Sequence, residues 1–133
     1  MKRTTLFAII TVLYVALVAV LCFANLKSPN TMPKTLFGLE SDKVAHFLMF
    51  FPFPVLAFLS FRTDKMSIAG TLGLIVLIFA CGCLLAGLTE YIQGILPYRA
   101  KDTNDLKADM LGMIISSVIV FVVSFFAHAR RQS

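Results

Sequence analysis

The stretch TEYIQGILPYRAKDTNDLKADMLG, Thr89 to Gly112, sets Glu90, Gln93, Arg99, Lys101, Asp102, Asn104, Asp105, Lys107 and Asp109 between two long apolar runs. So much charge between two runs of membrane-spanning length marks a polar connection and two helix ends, with hydrocarbon-facing helices on either side. About 20 consecutive apolar residues cross a bilayer core as a helix. Outward from this stretch, Met66 to Leu96 forms a third span broken only by Glu90 and Gln93. Met110 to Ala127 forms a fourth, closed by His128, Arg130 and Arg131.

Composition points the same way. Of 133 residues, 59% are apolar and 14% charged, and the mean hydropathy is +0.88. Soluble domains carry about 25% charged residues, so the expectation is one integral membrane domain over residues 1–133. The formal charge of +5 comes from bases that flank apolar segments instead of forming a stripe. Topology signals and lipid headgroup contacts explain it better than nucleic acid. Cys22, Cys81 and Cys83 lie in apolar runs and are expected as small apolar fillers, not as a disulfide or a metal site.

Earlier in the chain, Lys2-Arg3 leads into a charge-free run from Thr5 to Ala24. It exceeds the roughly 7–15 apolar residues of a secretory signal, and Cys22-Phe23-Ala24 is a poor cleavage site, so it is expected as a retained first span. Asn25 to Glu40, with Pro29 and Pro33, is expected as a loop that folds back over the bundle end. Ser41-Asp42 offers an N-cap, and Val44 to Phe61 is the second span. Pro52 and Pro54 within it predict a kink or local unwinding. The fold class is therefore all-α, a four-helix transmembrane bundle with spans near 5–24, 44–61, 67–96 and 108–127. Basic residues divide evenly between the two faces. Because the terminal-side bases lie close to the span ends and the first helix usually dominates, the termini are expected in the cytoplasm. The polar site is then at the non-cytoplasmic helix ends of a multi-pass protein of the cytoplasmic membrane.

Helical spacing gathers the polar residues. Asp42 and Lys43 share a face with His46 at the start of the second span, while Glu90 and Gln93 share one at the end of the third. Asp102, Asp105 and Asp109 form a row that Gly112 and Ser116 continue. In an antiparallel bundle these ends meet at one membrane surface. The ordered set D-K-x-x-H, E-x-x-Q, P-x-R and D-x-x-x-D-x-x-G, on Asp42, Lys43, His46, Glu90, Gln93, Arg99, Asp105, Asp109 and Gly112, resembles the VanZ-like family of bacterial membrane proteins. The resemblance runs from about Asp42 to Gly112. It implies a site in the cell envelope and an association with low-level resistance to the glycopeptide teicoplanin. One departure is Asp109, where the family pattern commonly has Asn.

Physical chemistry leaves several readings of this constellation open. Helix-end charges can be solvated, or can pair to clasp the loops, since acids suit helix N-termini; Asp42 and Gly112 are expected to be structural. In an enzyme, His46 with Glu90 or Asp105 would exchange protons. Lys43 and Arg99, with Gln93 and Asp109, would bind an anionic lipid phosphate or cell-wall lipid intermediate. A non-enzymatic module would hold a lipid headgroup or antibiotic with the same groups. No cofactor is expected. A divalent metal on His46, Glu90, Asp105 and Asp109 is the minor reading, because one His with no helical partner is a weak signal. The span centres carry no charge, which argues against a transport path.

Overall fold

A computed structural model of the protein describes residues 2–24, 34–99 and 101–133. Pro29 and Pro33 of the expected loop and Ala100 of the polar stretch lie outside them. Four helical segments are long and apolar enough to cross a membrane: Arg3–Phe23, Ser41–Phe61, Ile68–Ile95 and Thr103–Gln132. The second comprises two helices, so the helices are α1 (Arg3–Phe23), α2 (Ser41–Phe50), α3 (Pro52–Phe61), α4 (Ile68–Ile95) and α5 (Thr103–Gln132). Ahead of α2, Thr35–Leu36 (β1) and Leu39–Glu40 (β2) form a short antiparallel hairpin. Its turn residues, Phe37 and Gly38, both have positive φ, 55° and 79°, as a two-residue primed turn requires. The sequence reading expected only loop here.

The bundle is apolar outside and polar within. Val12, Leu13 and Leu84 are 68%, 64% and 75% exposed, which suits hydrocarbon, while His46, Glu90, Asp105, Asp109 and Ser116 are buried. The central element is α2–α3: α2 packs chiefly on α5 and α3 chiefly on α1, with α4 closing the bundle against α3 and α5. Cys22 is buried, and the three cysteines are free thiols.

Helix starts differ from the sequence expectation. Helix α2 begins at Ser41, with Glu40 at the cap position and no side-chain cap bond, so Asp42 lies inside the first turn instead of capping it. Its charge still faces the positive helix end. Helix α5 begins at Thr103, capped by the Asp102 carboxylate, which accepts from the Asn104 N–H at 2.9 Å. Asp42 and Asp105 thus lie in first helical turns. At its other end α5 runs on past Ala127 to Gln132, where Arg130 and Arg131 meet the negative helix end.

The second span is interrupted at the prolines, where a kink or local unwinding was expected. Phe51 alone separates α2 from α3, and it keeps right-handed helical angles with its N–H on the Phe47 carbonyl at 3.0 Å. Pro52 opens α3 and Pro54 lies in its first turn, where an N–H has no intrahelical partner to lose. Against this break sits Gly112 of α5. A Cβ there would stand 2.6 Å from the Phe47 carbonyl oxygen and 3.3 Å from the Phe51 nitrogen. Backbone cannot retreat as a flexible side chain can, so a hydrogen at this position lets two helix backbones touch. Gly112→Ala is therefore expected to cost about 1–3 kcal/mol, as overpacking typically does. Gly87→Ala, with nothing within 4 Å of the added carbon, should leave stability near that of the parent. Thermal unfolding of the two variants in detergent checks the contrast.

Candidate functional site

Four helix ends build the site: the end of α1, the start of α2, the end of α4 and the start of α5. Spacings of four, three and four put Asp105, Asp109, Gly112 and Ser116 on one face of α5, and all four are buried. That face meets His46. The imidazole is 2% exposed and stands between two carboxylates, with Nδ1 2.9 Å from Asp109 Oδ1 and Nε2 3.6 Å from Asp105 Oδ2. The first is a hydrogen bond; the second is too long for one. An imidazole Nδ1–H donated to Asp109 would fix the ring and leave the Nε2 lone pair on the side of Asp105.

Around this pair the structure places the other expected residues in distinct positions. Lys43, at the rim, is ion-paired to Glu40, lies 3.3 Å from Asp102 and 4.0 Å from Asp105. Asp102, outside the spans, is held below the usual carboxylate range by the Asn104 N–H first and by Lys43 second. Glu90 reaches across from α4 and accepts the backbone N–H of Asp102 at 2.6 Å, which ties the end of α4 to the start of α5. Its second oxygen, together with Asp105 Oδ1 and Asp109 Oδ2, is buried with no hydrogen-bond partner among the described residues. Native structures keep few such atoms, and each one calls for an explanation.

Gln93 and Arg99, expected to bind substrate, sit elsewhere in the constellation. Helix α1 ends at Cys22-Phe23-Ala24 without glycine or a basic last turn, so its final carbonyls need outside donors. Gln93 donates to the Cys22 carbonyl at 3.0 Å, Arg99 to that of Leu21 at 3.1 Å, and Tyr98 to that of Phe23 at 2.6 Å. Tyr98 was missed by the sequence reading. The signal was the uncapped α1 end, for which the P-Y-R segment supplies donors.

Beside the site, between α1, α2–α3 and α4, lies an apolar cavity of about 120 Å³ lined by Tyr14, Phe23, Met49, Phe53 and Ile92 among others. The Tyr14 hydroxyl on its wall donates to the Met49 carbonyl at 2.7 Å. At the opposite end of the bundle, Arg131 donates to the Asp64 carbonyl at 2.8 Å, and no carboxylate cluster accompanies it among the described residues. The chemistry is gathered at one end.

A helical bundle of four spans, apolar outside and holding one buried His–carboxylate site at one end, is a multi-pass membrane protein. The VanZ/LLP1 family model matches residues 5–125, and the chain belongs to that family. No curated protein and no solved structure matches it.

Asp109 is fully buried on His46, not turned toward solvent. Asp109→Ala would leave a buried Nδ1–H without its acceptor, and an orphaned buried donor costs about 1–3 kcal/mol. Asp109→Asn keeps an oxygen acceptor at that place and should lose less. The order Ala below Asn below parent in thermal unfolding checks the assignment; equal losses would contradict it.

Proposed function

We propose that this VanZ-like protein acts at the outer face of the cytoplasmic membrane, where the site around His46 engages the polar head of a cell-envelope lipid or glycopeptide, contributing to teicoplanin tolerance. Three buried carboxylate oxygens without hydrogen-bond partners among the described residues, on Glu90, Asp105 and Asp109, carry this reading. Ionisable groups are costly inside a membrane protein, and those retained there face a substrate path or a partner. Their place at the ends of helices whose shafts are apolar sets them at headgroup depth. The neighbouring apolar cavity has room for a short length of hydrocarbon, which suits an amphiphile with its polar end at His46.

In this reading Asp109 positions His46, and Asp105 and Glu90 face the ligand. Lys43, tied to Glu40 and Asp102, screens the rim, while Gln93 and Arg99 hold α1 in place. Family membership supports the link to resistance. The placing of the bases, even in number on the two faces, supports the outer face: those at the other end hug the spans, as cytoplasmic ends do. The alternative, a module that holds the headgroup without converting it, uses the same residues and differs only in yielding no product from radiolabelled envelope lipid.

Expression in a susceptible bacterium that lacks a related gene tests the role. The parent should raise the inhibitory concentration of teicoplanin several-fold, and His46→Gln, present at the same level in the membrane, should return it to the vector value. An unchanged concentration with parent protein in the membrane would overturn the reading. Orientation has its own test in a background with Cys22, Cys81 and Cys83 replaced by Ser. Lys101→Cys should react with an impermeant maleimide on intact cells and Thr63→Cys only after lysis; the reverse pattern would put the site in the cytoplasm.

A further inference from the structure

The site is too acidic to receive an anionic headgroup unaided. Asp42, Asp105 and Asp109 surround one imidazole, with Glu90 behind them, and the nearest cation, Lys43, is shared with Glu40 and Asp102. A phosphate brought to His46 would meet like charge. What the arrangement would attract is a cation.

We infer that Asp42, His46 and Asp105 form a binding site for a divalent first-row metal ion, with Asp109 as the outer partner that orients His46. One ligand atom from each of the three lies within 4.8 Å of the others. Asp42 and His46 are four apart on α2, so one helical face presents both, and Asp105 comes from the first turn of α5. Ligands at about 2.1 Å from one ion in a tetrahedral arrangement stand about 3.4 Å apart. The 3.6 Å between His46 Nε2 and Asp105 Oδ2, too long for a hydrogen bond, is close to that separation. The 2.9 Å contact of Nδ1 with Asp109 suits a metal on the other nitrogen: with Nδ1–H donated to Asp109, the Nε2 lone pair would be left for the ion, the carboxylate–histidine–metal arrangement common around bound ions.

A second observation is independent of the clustering. Asp105 is 4% exposed, and among the described residues its Oδ1 has no hydrogen-bond partner, with Lys43 Nζ 4.0 Å away. A carboxylate this buried keeps its charge at lower cost when it coordinates a cation. Imidazole beside two carboxylates favours Zn²⁺ or Mn²⁺ over Mg²⁺ or Ca²⁺. Three protein ligands leave a coordination position open. Asp42 is exposed, so that position is reached from the aqueous side. An open position on a dication is where a headgroup phosphate oxygen would bind. This last step rests on the function proposed above; the metal site itself does not.

The test uses the full chain purified in detergent, stripped with chelator and then dialysed against Zn²⁺ or Mn²⁺ before metal is counted per chain by mass spectrometry. One equivalent is expected. It should be lost in His46→Gln and Asp105→Asn, and weakened on the order of tenfold or more in Asp109→Asn, the usual cost of removing an outer-shell partner. It should persist in Asp64→Asn at the far end of the bundle. If the buried variants do not fold, Asp42→Asn decides, since Asp42 is exposed and its loss leaves the packing intact; it should bind at least about tenfold more weakly. No retained metal in the parent overturns the inference, as does full retention in folded His46→Gln or Asp42→Asn. The measurement needs neither lipid nor antibiotic. A failed metal site therefore leaves the resistance assay to judge the headgroup reading, and a bound metal without any effect on tolerance would sink that reading alone.

Discussion

The hydrogen bond between His46 and Asp109 joins helices α2 and α5 in the buried interior of the bundle. Hydrocarbon surrounds the bundle, so a polar side chain turned inward must find its partner on another helix or stay unpaired at a cost of several kcal/mol. Meeting that requirement fixes the rotation of α5, because Asp105, Asp109, Gly112 and Ser116 share one face. Turning Asp109 to His46 also turns Gly112 to the Phe47 carbonyl. One polar contact and one missing side chain, a helical turn apart, set the register of the two helices. The proline pair then falls where α5 presses closest, with α2–α3 continuing through Phe51 as nearly one span.

The same requirement explains the end of α1. Its last carbonyls lie at the membrane surface without a glycine cap, and three of them accept from Gln93, Tyr98 and Arg99. These residues link the first span to the connection between α4 and α5, while Glu90, through the Asp102 N–H, fixes the turn of that connection. Gln93 and Arg99 thus hold the end of α1 against the end of α4 and the connection that follows it. Deleting the side chain of Gln93 or Arg99 would leave the carbonyl of Cys22 or Leu21 without that donor.

How far the sequence discloses this structure depends on the range of each interaction. Spans follow from run length alone, and the shared face of Asp105, Asp109 and Gly112 follows from spacing within one helix. The pairing of α2 with α5 follows from the antiparallel order of the chain. Beyond that, spacing shows which residues share a face but not what the face meets. Asp109 could as well have faced a ligand as an imidazole until α2 was placed. Tyr98 and Gln93 look like surface polar residues until the uncapped α1 end, some seventy residues earlier in the chain, is brought beside them. The hairpin at Phe37-Gly38 was hidden for another reason: a phenylalanine with positive φ runs against local preference, and only its setting ahead of α2 selects it.

Asp109 also bears on why this chain carries an acid where the family pattern commonly has an amide. Asn could accept from His46 through its oxygen, so the hydrogen bond alone does not call for a carboxylate. A charge adds something an amide lacks: it strengthens the bond to a histidine N–H, and raises the basicity of the opposite nitrogen as a donor to a cation. Within the same cluster, Lys43 lies nearer to Glu40 and Asp102 at the rim than to Asp105, and among the described residues one oxygen each of Asp105 and Asp109 has no hydrogen-bond partner. An amide at position 109 would make that interior less negative and its ligand nitrogen weaker. Aspartate makes the site a better acceptor of positive charge, and the identity of the group that supplies this charge decides what the protein does at the membrane surface.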